Sequence, residues 1–288
     1  MKYEYRVVDV FTQTPLEGNA LAVFTDARGM TDDLMQRVAR ELNLSETTFV
    51  FPPEREGTAA RVRIFTPARE MEFAGHPTVG TAYVLRESGA VARDAQSFVL
   101  HENIGDVPVR VDEEERIWLT TPPISVRGAY DRTKCAAALS LSVDDLLPNV
   151  PCELLTAGNP NIYIPLRDPA AVDRADVDTA ALRALLRGDS SLCTFVFAPT
   201  PFGAYSRMFA PELGVVEDPA TGSATGPLAA FMLRHNLVHG SSFYSEQGTK
   251  MGRRSILHVL VHGDKGKGGI EVGGHVTPIA QAVLTLPE

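Results

Sequence analysis

Cysteine, net positive charge and long apolar runs are all scarce in this chain of 288 residues. The three cysteines are odd in number and lack C-x-x-C spacing, which disfavours a disulfide framework or a zinc site and indicates a reducing compartment. A net charge of −9 argues against general nucleic-acid binding, which needs a basic face. The same charge still allows a locally positive pocket for a small anion.

Membrane segments are also missing from the sequence. No apolar run approaches the about 18 residues of a membrane span, and the first residues alternate like a strand instead of forming a leader peptide. We therefore expect a soluble cytoplasmic protein with no membrane partner. The composition, with 44% hydrophobic and 22% charged residues, is typical of a globular protein, and the length suits two domains of roughly 140 residues.

The chain repeats itself once. Three blocks of the first half recur in the same order in the second half, at offsets of 146, 144 and 142 residues. The pairs are TTFVFPP at 47–53 with CTFVFAP at 193–199, VRIFTP at 62–67 with SRMFAP at 206–211, and HPTVGTA at 76–82 with DPATGSA at 218–224. A period this long predicts two homologous domains and excludes a solenoid.

Each copy of the third block predicts the start of a helix. Pro77 and Pro219 suit a first helical turn, where a missing N–H costs nothing, so His76 and Asp218 are expected at or beside the two N-caps. A helix N-terminus offers unpaired N–H donors and a partial positive charge. Two such starts, facing each other across a domain cleft, would bind a small anion such as a carboxylate.

The stretch ATGSATG, residues 220–226, allows other interpretations. A phosphate loop is disfavoured because its lysine and its spacing are absent, and a serine nucleophile because Ser223 lacks the G-x-S-x-G elbow and an evident base. A purely structural role, with Asp218 as the N-cap and Ser223 packed in the first turn, stays open.

One residue breaks the internal symmetry. Glu46 directly precedes a predicted strand at the point where the second half has Leu192. An acid in this place is usually a solvated loop residue. A partly desolvated carboxylate would instead have a raised pKa and could act as a general acid and base.

Several longer motifs resemble one known family. S-E-T at 45–47, F-A-G-H-P-T at 73–78 and E-D-P-A-T-G-S-A at 217–224, together with LEGNALAVF and QGTKMGRRS, resemble the PhzF-like family. The resemblance covers about residues 4–285. The family takes its name from an isomerase of phenazine biosynthesis.

The resemblance implies an α+β fold of two pseudo-symmetric domains like those of diaminopimelate epimerase. Each domain would be a curved, mostly antiparallel sheet around a central helix, with the active site in the interdomain cleft. We place the first domain at residues 1–123, with the strand in 278–288 returning to it, and the second at residues 124–277. The resemblance also implies a homodimer that uses no cofactor and no metal.

The resemblance also assigns roles to individual residues. Glu46 would be the general acid and base that moves a proton within a small carboxylated substrate, with trans-2,3-dihydro-3-hydroxyanthranilate as the expected one. The residues expected to bind that substrate are Asn19, Gly75, His76, Asp218, Gly222 and Ser223.

Two alternatives remain within this fold: an amino-acid epimerase or racemase, and a small-molecule-binding protein without catalysis. Relatives that racemise with two facing cysteines would have one thiol at each helix start, whereas His76 and Asp218 stand there in this sequence. A one-base proton shift is therefore favoured. Ala20, where the family usually has proline after Gly-Asn, is expected to loosen a turn at the pocket edge.

Overall fold

The computed structural model describes residues 1–189 and 191–286, and at residue 264 it describes the backbone only. The chain divides into two compact units, Met1–Thr120 with Gly273–Glu288 and Thr121–Val272. Pro287 and Glu288, the last two positions of the predicted returning strand, lie outside the described residues.

Strands outnumber helices in both units. Residues 1–120 form β1 (Lys2–Val10), β2 (Asn19–Phe24), α1 (Asp32–Leu42), β3 (Glu46–Phe51), β4 (Ala60–Phe65), β5 (Glu70–Met71), α2 (Gly75–Glu87), β6 (Ser97–Glu102), β7 (Gly105–Val111) and β8 (Ile117–Thr120). The following part forms β9 (Ser125–Tyr130), α3 (Arg132–Ala137), β10 (Cys152–Thr156), β11 (Pro160–Pro165), α4 (Pro169–Arg174), α5 (Thr179–Leu186), β12 (Cys193–Thr200), β13 (Gly203–Ala210), β14 (Val215–Asp218), α6 (Gly222–Arg234), β15 (Ser242–Gln247), β16 (Ser255–His262) and β17 (Gly269–Gly274). The last strand is β18 (Val276–Thr285).

The sheet of the first unit joins the two ends of the chain. β18 pairs antiparallel with β1, and the order continues through β2, β3, β4, β6, β7 and β8. Two neighbouring pairs, β2 with β3 and β4 with β6, are parallel, while the other pairs are antiparallel. β18 begins at Val276, two residues before the predicted start, because its pairing with β1 extends to Val10.

The second unit repeats this order among its own strands. β9 pairs antiparallel with β10, and the order continues through β11, β12, β13, β15 and β16. The parallel pairs, β11 with β12 and β13 with β15, recur at equivalent places. Even the register shift in the β1–β18 pair has a counterpart in the β9–β10 pair. These mostly antiparallel sheets with few helices confirm the predicted α+β class.

A buried helix lies at the centre of each unit. α2 contacts β1, β2 and β3 and also β8 and β18, which lie at opposite ends of the strand order, so the sheet curves around it. α6 likewise contacts β10, β11 and β16 of its own sheet. Gly80 of α2 lies so close to the sheet that a Cβ there would come within 2.6 Å of Leu21 and 2.9 Å of Val10. Gly80 therefore serves the close packing of α2 against the sheet.

The outer face of each sheet carries a second hydrophobic core beneath shorter helices. In the first unit, Met35 and Val38 of α1 pack with Phe24, Phe49 and Phe65 of the strands. As predicted, Thr31 caps α1 by accepting a hydrogen bond from the Leu34 N–H, and two aspartates occupy the first turn. With a core on both of its faces, each sheet holds its strand ends in fixed positions, and the candidate site residues lie at several of these ends.

Candidate active site

Glu46 is the first residue of β3. It pairs with Leu21 of the parallel neighbour β2, so the backbone at this point is held on one side by the sheet. Its side chain is 17% exposed, and the carboxylate atom Oε2 lies 3.3 Å from Nδ1 of His76. The carboxylate of Glu46, the residue that breaks the internal symmetry of the sequence, is therefore largely desolvated and in contact with the start of α2.

His76 is the second residue of α2 and is buried. Pro77 follows in the first turn, and no side chain caps the helix at Ala74, so the N–H groups of the first turn have no side-chain cap. Burial lowers the pKa of the His76 imidazole to about 3, which makes the ring neutral at physiological pH. Its Nε2 has no hydrogen-bond partner among the described residues.

Asn19 is the third member of this cluster. It is the first residue of β2, it is buried, and its Nδ2 lies 3.3 Å from Nδ1 of His76. The preceding Gly18 has a φ of 69°, and a Cβ there would lie 2.4 Å from the Val10 carbonyl oxygen, so only glycine fits. Ala20 lies inside β2 opposite Asp9, not in the turn, so the expectation that it loosens a turn is wrong about its place.

The contacts of the His76 Nδ1 restrict where the protons of the cluster can be. A neutral imidazole has a single N–H. If Nδ1 carries it, the ring donates to the Glu46 carboxylate and Nε2 is a bare acceptor. If Nε2 carries it, Nδ1 accepts from the Asn19 amide, and Glu46 avoids repulsion at 3.3 Å only when it is itself protonated. The histidine tautomer is thereby linked to the protonation state of Glu46.

In the second unit, Asp218 is the last residue of β14 and is 8% exposed. Its Oδ2 accepts a hydrogen bond of 2.5 Å from the Thr221 hydroxyl. Gln247, fully buried at the end of β15, donates to the Asp218 carbonyl at 2.8 Å and accepts from the Thr221 N–H at 3.1 Å. These bonds hold the backbone that leads into α6.

Ser223 and Gly222 open α6. Thr221 is the N-cap, but no side chain caps the first-turn N–H groups, as in α2. Ser223 is half-buried, and its Oγ accepts a hydrogen bond of 3.3 Å from Nδ2 of Asn159. Asn161, two residues later and within β11, is buried and donates to the Asn159 carbonyl.

The sequence comparison of the two halves paired His76 with Asp218, and this pairing is wrong. The two central helices have equal length and begin at Gly75 and Gly222, so His76 corresponds to Ser223. Asp218 instead pairs with Met208 in the sheet, four residues before the helix, and Pro219 precedes the first turn. The sequence pairing is in error by five residues, and the segment between the strand and the central helix is longer in the second half (211–221) than in the first (66–74).

The family is identified by a match that spans nearly the whole chain. A model of the PhzC-PhzF family, described as phenazine biosynthesis-like protein, matches residues 8–282. The chain belongs to this family. It is 35% identical over 285 residues to the trans-2,3-dihydro-3-hydroxyanthranilate isomerase of Pseudomonas aeruginosa, an alignment that covers 97% of this chain and 98% of the relative.

Solved structures agree with the PhzC-PhzF assignment. A phenazine biosynthesis protein of the PhzF family from Bacillus anthracis superposes with a TM-score of 0.89 at 25% identity, over 99% of this chain and all of the other. A protein from Pseudomonas aeruginosa described as a predicted epimerase gives 0.84 at 33% identity, with the same coverage. A probable proline racemase from Agrobacterium radiobacter, at 14% identity and a TM-score of 0.66, shares the fold.

For this PhzC-PhzF chain, the names of the relatives support an isomerase activity in general terms. A relative from Clostridium acetobutylicum at 32% identity, for instance, is named only as an uncharacterized isomerase. Cys135, Cys152 and Cys193 are all buried, and none stands at either helix start. Within the described residues, no helix is long and apolar enough to span a membrane.

Sequence reasoning missed several residues of the site. Gln247 stands in the motif QGTKMGRRS, which supported the resemblance but received no role, and Asn159 and Asn161 lie in the unremarked stretch GNPN. The signal available for Gln247 in the sequence was its place at the end of a strand, directly before Gly248. The structure shows why a glycine stands there, because a Cβ at this position would lie 2.6 Å from the Pro219 carbonyl oxygen. The expectation that the residues of both units line one cleft stays a prediction.

Proposed function

We propose that the protein is a cofactor-independent isomerase that moves a proton within a small carboxylated substrate, with Glu46 as the general acid and base. The contact of the Glu46 carboxylate with the buried, neutral His76 carries this proposal. As the substrate we propose trans-2,3-dihydro-3-hydroxyanthranilate, after the name of the Pseudomonas aeruginosa relative.

The proposed reaction needs one carboxylate and no second base. The Glu46 carboxylate removes a proton from a substrate carbon, and the electron pair left behind enters the neighbouring double-bond system. The carboxyl of Glu46 then returns the proton to a different carbon on the same face. Atoms and charge balance without an oxidant or a reductant, and one side chain serves first as base and then as acid.

The neutral state of His76 keeps Glu46 basic. An imidazolium at 3.3 Å would favour the ionised carboxylate and lower its pKa, which would weaken it as a base. Burial prevents that charge from forming. The Nδ1 atom of His76 can instead accept a hydrogen bond when Glu46 gains its proton and donate one when Glu46 loses it. The side-chain amide of Asn19 contacts the same Nδ1 atom.

Binding of the substrate is proposed for the residues at the two helix starts. The N–H groups at Gly75 and Gly222 have no side-chain cap and suit a carboxylate. Asp218 and Ser223 would place hydrogen-bonding groups near the start of α6, and Asn159 holds the Ser223 hydroxyl. We propose no role for a metal or a cofactor.

Glu46→Gln tests the proposed function directly. The variant keeps the size of the side chain and removes its basicity, so we expect turnover of trans-2,3-dihydro-3-hydroxyanthranilate to fall by about 10²–10⁴-fold. Proton NMR in deuterium oxide measures both isomerisation and the incorporation of deuterium. The control is Glu41→Gln, which changes an exposed carboxylate of α1 in the same way.

Three results would contradict the proposal in distinguishable ways. Undiminished turnover in Glu46→Gln would remove Glu46 from the chemistry. Loss of optical activity, with deuterium only at the α-carbon of an amino acid, would indicate an epimerase. Binding of a carboxylated ligand by the native protein without any proton exchange would indicate a binding protein.

A further inference from the structure

Glu102 is a buried carboxyl group beside the start of α2. It is the last residue of β6, it is 1% exposed, and its Oε1 lies 2.6 Å from the hydroxyl oxygen of Thr78 in the first turn. Its Oε2 is buried with no hydrogen-bond partner among the described residues. Thr78 follows His76 by two positions, so this contact acts on the turn that carries the histidine.

The hydrogen-bond geometry points to a proton on Glu102. The Thr78 hydroxyl oxygen also lies 2.8 Å from the carbonyl oxygen of Ala74. A carbonyl oxygen can only accept, and a hydroxyl has one proton to donate. If Thr78 donates to Ala74, the second short contact needs a proton from Glu102, so the carboxyl is the donor and is neutral.

The internal repeat gives independent support, because an amide occupies the equivalent place in the second unit. β6 runs parallel to β4, and β15 runs parallel to β13, at the same point of the two sheets. The last residue of β15 is Gln247, fully buried, and its side-chain amide donates to the residues that precede α6. A protonated glutamic acid resembles glutamine in shape and also donates a hydrogen bond, whereas a carboxylate only accepts.

We propose that Glu102, as a neutral carboxylic acid, is a positioning residue that donates to Thr78 and fixes the first turn of α2 under His76. Its influence on catalysis rests on the function proposed above for Glu46 and His76, whereas its protonation does not. When Glu102 loses its proton, the buried carboxylate and the Ala74 carbonyl compete for the single hydroxyl proton of Thr78. The turn then has to move.

The charged groups around Glu102 agree with this assignment. Burial raises the pKa of Glu102 to about 8, against the opposing influence of the hydrogen bond that Thr78 can donate to the ionised form and of the Arg61 guanidinium on β4. Arg61 itself hydrogen-bonds to the His101 carbonyl and to the Asn103 side chain, and its charge is shared with Glu54. Asp106 of β7 pairs with Arg55 and His101. From α2, His76 contributes a ring that burial keeps neutral.

The surrounding hairpin confines the effect to the helix start. The turn between β6 and β7 is tied to the segment before α2, since Asn103 donates to Glu70 and the Ile104 N–H to the Glu72 carbonyl. These bonds do not depend on the Glu102 proton. Ionisation is therefore expected to disturb the first turn of α2 without unfolding the sheet.

Infrared spectroscopy tests the protonation without any substrate. We expect the carbonyl band of a neutral carboxylic acid in the native protein at pH 7, its loss in Glu102→Gln, and its disappearance in the native protein above pH about 8. Glu72→Gln, which changes an exposed side chain of the adjoining segment, is the control and should keep the band. A native spectrum at pH 7 that Glu102→Gln leaves unchanged would overturn the proposal.

The positioning role is tested by the ring signals of ¹⁵N-labelled histidine and by the pH profile of turnover. In the native protein the His76 signals should shift with an apparent pKa of about 8, and turnover should fall about tenfold per pH unit above it. Glu102→Gln should remove both changes and keep native turnover at pH 7, while Glu102→Ala should lower turnover at every pH. A glutamine variant that behaves like the alanine variant would overturn the role.

These outcomes separate the two proposals of function and positioning. If the protein turns over no substrate, the infrared and histidine signals still decide whether Glu102 is neutral and moves His76. If turnover is confirmed but the signals of His76 are the same in the native protein and in Glu102→Gln at every pH, only the positioning role fails.

Discussion

At the scale of single residues, two buried titratable groups lie within one turn of the same helix start. Burial disfavours the charged form of each, so it lowers the pKa of His76 to about 3 and raises the pKa of Glu102 to about 8. Between these two values both groups are neutral. The carboxylate of Glu46 therefore lies beside a neutral His76.

The neutrality of His76 predicts a pH dependence of stability. The folded pKa of about 3 lies below the ordinary value of 6.5, so the stabilisation is complete above pH 6.5 and is lost as the pH falls toward 3. The free energy of unfolding should decrease by about 1.4 kcal/mol per pH unit over this range because of His76. Denaturant unfolding of the native protein and of His76→Asn, compared at each pH, measures the difference.

The contribution of Glu102 to the pH dependence of stability has the opposite sign to that of His76, so the two contributions must be measured separately. Its stabilisation is complete below pH 4.5 and is lost as the pH rises to about 8. The comparison with His76→Asn isolates the histidine, and His239→Asn serves as an exposed control. An equal slope in the native protein and in His76→Asn would contradict a neutral His76.

Sequence reasoning identified Glu46, His76 and Ser223 as candidate site residues because short motifs contain them. It did not reach Glu102, whose partner Thr78 is 24 residues away, or Gln247, whose partners are 26 and 29 residues away. A hydrogen bond of this kind depends on which strand end lies beside which helix. That is decided by the order and direction of the strands.

At the scale of elements, each central helix is preceded by a strand with the same arginine–glutamate pair. Arg63 and Glu70 join β4 to β5 with two hydrogen bonds, and Arg207 and Glu217 join β13 to β14 in the same way. Each guanidinium also lies over the phenylalanine two residues further along its strand. The pairs fix the segments from which the two helix starts emerge.

The two pairs should differ in strength. Glu217→Gln leaves Arg207, which is 9% exposed, with neutral acceptors and no carboxylate partner, and we expect the free energy of unfolding to fall by about 3 kcal/mol. Glu70→Gln leaves Arg63, which is 19% exposed, paired with Asp32, and we expect a loss of about 1 kcal/mol. Urea unfolding of the two matched variants measures both values. A larger loss in Glu70→Gln would contradict this ranking.

At the scale of the whole molecule, the first and last strands of the chain depend on each other. β18 pairs with β1 from Lys2 to Val10, and the N-terminal amine donates to the Leu286 carbonyl. The first unit therefore gains its outer strand only after the second unit has been synthesised. Folding of this sheet has to wait for the C-terminus of the chain.

Removal of β18 tests this dependence. A chain that ends at His275 leaves one edge of β1 without its partner, and we expect it to aggregate or to lose the cooperative unfolding transition. A chain that ends at Leu286 keeps every described pair of the two strands and is the matched control. Circular dichroism and size-exclusion chromatography measure the result. A shortened chain that unfolds at the denaturant midpoint of the control would contradict the prediction.

The sequence by itself determined the α+β class, the internal repeat and the family, and it pointed to Glu46 as a candidate acid, because strand alternation, helix-start motifs and repeated blocks can be read directly along the chain. Only the tertiary structure decided that His76 corresponds to Ser223, that Asp218 ends a strand, and that Glu102 and Gln247 occupy equivalent places. The physical reason is that a side chain's partner and its protonation depend on burial and strand order. Both arise only when distant segments pack together.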